Sequence, residues 1–262
     1  MTHAAALRVP SLPATLHITD VSVSYPTRAG EIHALQDVGL TVESGEFVSI
    51  LGPSGCGKST LLKVAAGLLK PTRGTVSLGD LDVSGPRTDV GVAFQKPLLM
   101  PWKTVRDNIL LPVRAAHLPI ANYGQRCDRL LETMGLSEFA NNYPRELSGG
   151  MQQRAGLARM LIQDPSVLLM DEPFAALDAM TRETLSLELQ RIWMADMKSV
   201  LFITHSIAEA VFLSDRVLVM SPRPGRVVEV LDIDLPRPRT LETMTVSAFV
   251  DACSHLRQHF VK

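Results

Sequence analysis

Gly52-Pro53-Ser54-Gly55-Cys56-Gly57-Lys58-Ser59 fits G-x-x-x-x-G-K-[ST], and Thr60 follows directly. A phosphate chain is bulky and multiply charged. Only a loop of small side chains lets several backbone N–H groups converge on it. In that chemistry Lys58 reaches the β- and γ-phosphates, and the Ser59 hydroxyl ligates Mg²⁺. The pattern carries weight when a strand leads in and a helix leads out. Phe47 to Leu51 is a short apolar run of buried-strand type, and Thr60 to Leu69 continues in helical spacing. The positive end of that helix adds to the attraction. The stretch predicts a nucleoside-triphosphate site.

Hydrolysis needs more than a cradle: a metal site, a group that orients water, and positive charge or dipoles at the γ-phosphate. Val167 to Met170 is apolar and runs into Asp171-Glu172. That places two acids at the C-terminal end of a buried parallel strand, where α/β folds place ligands. Asp171 fits the metal role, directly or through a water, and Glu172 the polarisation of the attacking water. Gln95 and His205 also end strands, either facing the nucleotide or serving the fold. Ser148-Gly149-Gly150 opens a helix with two glycines, each costing up to about 1 kcal/mol inside a helix. They make sense where backbone N–H groups approach an anion, or as an ordinary serine cap on a turn. Tyr25, ahead of the phosphate loop, either stacks on a base or packs. Cys56, at the start of a helix, is expected to react with maleimide and to be protected by MgATP.

The elements that must position these residues follow from the pattern of the chain. Its 262 residues suit one large α/β domain with an insertion. Leu16 to Tyr25 and Glu31 to Val42 read as strands joined by a turn at 26–30. Thr75 to Leu78, Val90 to Phe94, Ser199 to Thr204, Asp215 to Met220 and Arg226 to Asp232 are further strands. Residues 96–165 change texture, with helical spacing near 104–116, 123–134 and 148–163. Asp178 to Met194 is a helix with Asp178 as its N-cap, and Thr245 to Val261 a final amphipathic one. Residues 1–14 read as a loose tail without a secretory signal. A net charge of −1 argues against a general nucleic-acid binder. Three widely spaced cysteines read as reduced thiols. No run reaches the roughly 18 apolar residues of a membrane span.

Taken in order, these motifs resemble those of the ATP-binding subunits of ATP-binding-cassette (ABC) transporters, over roughly residues 16 to 232. Tyr25 is similar to the family's adenine-stacking aromatic, and Gly52 to Thr60 to its phosphate loop. Gln95 resembles the glutamine that senses the γ-phosphate and Mg²⁺. Leu147-Ser148-Gly149-Gly150-Met151 resembles the signature, with Met at the position more often Gln. Val167 to Glu172 matches the second nucleotide motif, Ala176-Leu177-Asp178 the loop that communicates across the dimer, and His205 the switch histidine.

The resemblance implies a P-loop NTPase (RecA-like) α/β core with a mixed sheet, an antiparallel β subdomain and an inserted α-helical signature subdomain. The ATPase domain would span 15–240 and a helical extension 241–262. Two copies would sandwich two ATP molecules, each phosphate loop completed by Ser148, Gly149 and Gly150 of the other copy. Lys58, Glu172 and His205 would be catalytic, Asp178 would contact the nucleotide site, and Ser59, Gln95 and Asp171 would serve Mg²⁺.

Gln95-Lys96-Pro97-Leu98-Leu99-Met100-Pro101-Trp102, Pro173 to Arg182 and Ser221 to Arg226 resemble the nitrate/sulfonate/taurine importer branch. There the run 96–110 docks the permease, with Trp102 either exposed for that purpose or packed at home. That implies a peripheral protein on the cytoplasmic face of the inner membrane, partnered by permease subunits and indirectly by a substrate-binding protein. A pyrimidine (thiamine-precursor) importer uses similar ATPases. Non-transport ABC ATPases usually fuse two cassettes or insert coiled coils. The signature and the Asp171-Glu172 pair argue against a small-molecule kinase.

Overall fold

The computed structural model describes residues 14–27, 30–175 and 177–260. The tail at 1–13, part of the turn at 26–30, Ala176 and residues 261–262, where the expected final helix ends, lie outside them. In chain order the elements are β1 (Leu16–Thr27), β2 (Gly30–Val42), β3 (Phe47–Leu51), α1 (Lys58–Ala65), β4 (Arg73–Leu78), β5 (Leu81–Asp82) and β6 (Val90–Ala93). Helices α2 (Val105–Ile109), α3 (Leu111–Ala115), α4 (Gly124–Thr133) and α5 (Gly149–Leu161) follow. Then come β7 (Val167–Asp171), α6 (Ala179–Asp196), β8 (Ser199–Ile203), α7 (Ile207–Leu213), β9 (Arg216–Met220), β10 (Val227–Asp232) and α8 (Ser247–Arg257).

Six strands form the central sheet in the order β10-β9-β3-β8-β7-β6. From β9 to β6 the neighbours are parallel, and β10 closes the edge antiparallel to β9. Every residue of β3, β7 and β8 is buried. Their mainly apolar runs serve two cores at once, because successive side chains leave opposite faces of a strand. Leu168, Met170, Val200 and Phe202 face the helical side with α5, α6 and α7. Val167, Leu169, Leu201 and Ile203 face α1 and the second sheet. That sheet is antiparallel, in the order β2-β1-β4-β5.

Four local details differ from the sequence expectation. Helix α1 stops at Ala65 rather than running to Leu69. Gly67 takes φ +68° and Leu68 N–H donates back to the Lys63 carbonyl, a glycine-dependent helix end. A Cβ at Gly67 would lie 2.3 Å from the Gly85 carbonyl oxygen, so the close approach also demands glycine. Residues 104–116 form two short helices, with Pro112 in the first turn of the second. The alternation of β1 breaks at Asp20, which has φ 50° beside a register shift. Helix α7 was not expected; its seven residues are too few for a helical period to show.

The segment after β10 is tied to the core. Arg239 is 1% exposed and donates to the carbonyls of Val211, Phe212 and Ser214 at the end of α7, and to those of Ile233 and Leu235. Burial pushes its pKa down to about 10, which leaves it charged at neutral pH. It thereby satisfies carbonyls that the end of α7 leaves without helical partners. Phe249 and Leu256 of α8 join the same core as α7.

Candidate functional site

The phosphate loop joins β3 to α1, and its glycines are used structurally. Gly55 and Gly57 have φ +76° and +106°, a region open to glycine. A Cβ on Gly57 would lie 2.6 Å from the Leu35 side chain and 2.7 Å from the Ala34 carbonyl oxygen. Lys58 is buried at 7% exposure and folds back, its Nζ donating to the carbonyls of Gly52 at 2.6 Å and Pro53 at 3.0 Å. The loop is thus closed over its own cation.

Beside it lies a cavity of about 550 Å³. Tyr25 forms part of its wall, with Ser54, Gly55, Gly57, Lys58, Ser59, Thr60, Gln95 and Glu172. Most of the cofactor-binding residues expected from the sequence therefore converge. Gly52, Pro53 and Cys56 belong to the loop without lining the cavity. Ile32, Ala34 and Arg223 line it as well and were missed. Arg223 Nε donates to the Gly55 carbonyl at 3.3 Å, which sets a guanidinium against the loop. Its run Ser221 to Arg226 carries only a family likeness in the sequence; the charge acquires meaning when β9 brings it back to β3.

At the end of β7, Asp171 is 8% exposed, with the Ser59 hydroxyl close enough to its carboxyl to favour the charged form. Burial pushes the Asp171 pKa up, the Ser59 hydroxyl pulls it down, and the nearby Glu172 charge pushes it up again. Glu172 sits in the left-handed region at φ 45°, where a non-glycine residue costs of order 1 kcal/mol. Its N–H donates to the Ile203 carbonyl, tying the bend to β8. Gln95 Nε2 donates to Glu172 Oε2 at 3.3 Å, and His205 Nδ1 lies 3.2 Å from the same oxygen. Three strand ends, β6, β7 and β8, thus deliver Gln95, Glu172 and His205 to one point.

Ser148, Gly149, Gly150 and Asp178 do not line this cavity. They form a second group. Ser148 caps α5, its Oγ accepting from Met151 N–H at 3.3 Å. A Cβ on Gly150 would lie 3.2 Å from Leu177 and 3.8 Å from Thr181, whereas one on Gly149 meets nothing within 4 Å. Asp178 caps α6, and hydrogen bonds from the Thr181 hydroxyl and N–H hold its carboxyl below the usual range. Cys56 is 1% exposed within the core beneath the loop, so the expected maleimide reaction has no accessible thiol. All three cysteines are free.

Behind the site runs a polar chain that sequence reading also missed. Arg182 donates to the Leu177 carbonyl at 3.0 Å, and its Nε lies 3.3 Å from Glu209 on α7. Glu209 accepts from the Thr204 hydroxyl at 2.6 Å, one residue before His205. Burial pushes the Glu209 pKa up, opposed by the Thr204 hydrogen bond and the Arg182 charge.

The ABC transporter family model matches residues 35–175. The chain is 49% identical over 223 residues to a taurine import ATP-binding protein of Rhizobium johnstonii, covering 85% of each chain. It is 46% identical over 244 residues to a nitrate import ATP-binding protein of Synechococcus elongatus, covering 90% of this chain and 89% of that one. Among solved structures, a dimeric ATP-binding cassette in a post-hydrolysis state with ADP and Pi superposes with a TM-score of 0.76 at 32% identity. That match covers 84% of this chain and all of the other. The phosphate cradle, the Asp171-Glu172 strand end and these likenesses agree: the chain belongs to the ABC transporter family, as one of its ATP-hydrolysing, ATP-binding subunits.

Proposed function

We propose that this chain powers a membrane importer for a small anion of nitrate, sulfonate or taurine type, working as a dimer that holds two ATP molecules between its copies. The observation that carries the dimeric reading is the separation of two half-sites on one chain. The phosphate loop lies with Gln95 and Glu172 around one cavity, His205 stands 3.2 Å behind Glu172, and Gly149 faces open space outside it. A second copy can bring its Ser148-Gly149-Gly150 helix start against the γ-phosphate, where N–H groups and the helix dipole favour an anion. The names of the two import relatives support the anion class.

Within each site the Lys58 ammonium leaves the Gly52 and Pro53 carbonyls and turns to the phosphates. Glu172 accepts a proton from the attacking water, and His205 and Gln95 hold that carboxylate in place. Tyr25 supports the adenine ring. Asp171 and Ser59, close together and offering oxygen donors, fit a hard divalent ion, with Gln95 adding a third oxygen. Mg²⁺ bound there supplies charge neutralisation at the phosphates. Asp178 and Leu177 lie beside the signature start, and Arg182 and Glu209 join that loop to the segment holding His205. Glu209→Ala should therefore lower turnover about 2- to 30-fold, the range for coupling residues, with ATP affinity unchanged. A steady-state assay beside nucleotide titration separates the two effects. Normal turnover would remove Glu209 from the pathway.

No described helix is long and apolar enough to cross a membrane. A membrane role therefore calls for a partner, and the proposed location is the cytoplasmic face. Trp102 is 70% exposed and Leu98 56%, on the stretch 96–110 that we assign to permease docking. Purification of the tagged chain from native membranes in mild detergent should recover a stoichiometric multi-span permease. The matching binding protein, loaded with taurine or nitrate, should stimulate hydrolysis. Stimulation by pyrimidines alone would move the assignment to the thiamine-precursor class. Recovery without a permease, or with ribosomal or DNA-repair proteins, would overturn transport.

A further inference from the structure

Outside the nucleotide cavity, β10 and α8 bring three metal-ligating side chains together. Glu229 projects from the middle of β10; His255 lies in the last turn of α8, and His259 follows four residues on, just past the helix end. With the chain still turning at 258–260, that spacing brings both rings to one carboxylate. His255 Nε2 lies 2.6 Å from Glu229 Oε1, and His259 Nε2 faces Oε2 of the same carboxylate. One ligand atom from each residue lies within 4.8 Å of the other two. The imidazole centroids are 6.1 Å apart and their planes inclined by 68°, so the rings converge on the carboxylate instead of stacking. Glu229 Oε2 is shut off from solvent and meets His259 Nε2 there.

We propose that Glu229, His255 and His259 form a binding site for one divalent transition-metal ion of the zinc type, which pins α8 to β10. Two imidazole nitrogens and one carboxylate oxygen suit zinc, cobalt or nickel. Mg²⁺ and Ca²⁺ prefer all-oxygen shells. Bonds of about 2.0–2.2 Å need donor atoms roughly 3.5 Å apart, which small side-chain rotations reach from the observed cluster. The side chains of His255, His259 and Glu229 are 48%, 33% and 23% exposed, so an ion can enter and water can complete its shell. The surroundings give the site a role. Helix α8 packs on α7, which begins two residues after His205. An ion holding α8 in place therefore steadies the helix behind the switch histidine.

The test uses the full chain, freed of metal by a chelator and held in excess Mg²⁺ to keep the nucleotide site occupied by its own cation. Titration with Co²⁺ should give one ion per chain with a ligand-field absorption, displaced by equimolar Zn²⁺. At zinc concentrations 100 times Kd, hydrogen exchange that requires release of α8 from β10 should slow about 100-fold. His255→Ala and Glu229→Gln should abolish both effects while keeping ATP hydrolysis in Mg²⁺ alone. His259→Gln, beyond the end of the helix, provides a milder variant if either of these fails to fold. Absence of stoichiometric Co²⁺ binding, or binding equal in the wild type and the folded variants, would overturn the proposal.

Discussion

Glu172→Gln should bind MgATP with nearly unchanged affinity and lose about 10²- to 10⁴-fold in turnover, the contribution of a positioned general base. The amide keeps the size and the left-handed turn at φ 45° but does not accept a proton from water. Gln95 and His205, which now share Glu172 Oε2, would keep a hydrogen-bonding partner at that position. Loss of the carboxylate also removes its repulsion with the γ-phosphate, so the ATP-bound state should accumulate. Single-turnover hydrolysis beside equilibrium nucleotide binding checks both halves. Near-normal turnover would take the role away from Glu172.

A second large effect is expected far from the cavity of the same chain. Gly149→Asp adds a side chain where a Cβ meets nothing within 4 Å, in the first turn of α5. An acid there favours the helix dipole by about 0.3–1 kcal/mol, and removal of a glycine limits the unfolded chain. The isolated protein should therefore melt at the same or a higher temperature. Hydrolysis should nevertheless fall at least about 100-fold, as it does when an anion-stabilising donor is lost, because a carboxylate would face the γ-phosphate across the dimer. A stable variant with full activity would refute the trans role of this helix start.

Much of this was legible in the sequence because the chemistry is carried by local runs. Gly52 to Ser59 needs its own loop, and Val167 to Glu172 reads as strand and acids without help from elsewhere. The largely apolar strands β3, β7 and β8 announce a sheet buried on both faces. What stayed hidden depends on distant contacts. Arg223 gains its place only when β9 pairs with β3. The link from Arg182 to Glu209 and Thr204 needs α7, a helix too short for periodicity to reveal. The closure of Cys56 within the core overrode the electrostatic argument from its helix terminus, because a thiol at 1% exposure is withheld from reagent. The His255/His259 pair reads in sequence as part of an amphipathic helix, and Glu229 joins it only through the fold.

The central claim is that one chain's phosphate loop and another's Ser148-Gly149-Gly150 enclose the same ATP. Light scattering of Glu172→Gln, with ATP and then with ADP, tests it most directly. The ATP-bound protein should have about twice the 28.6 kDa mass of the chain and carry two nucleotides. It should return to the single-chain mass in ADP, and adding Gly149→Asp to the same chain should abolish the ATP dimer. A single-chain mass with ATP fully bound would contradict the shared site.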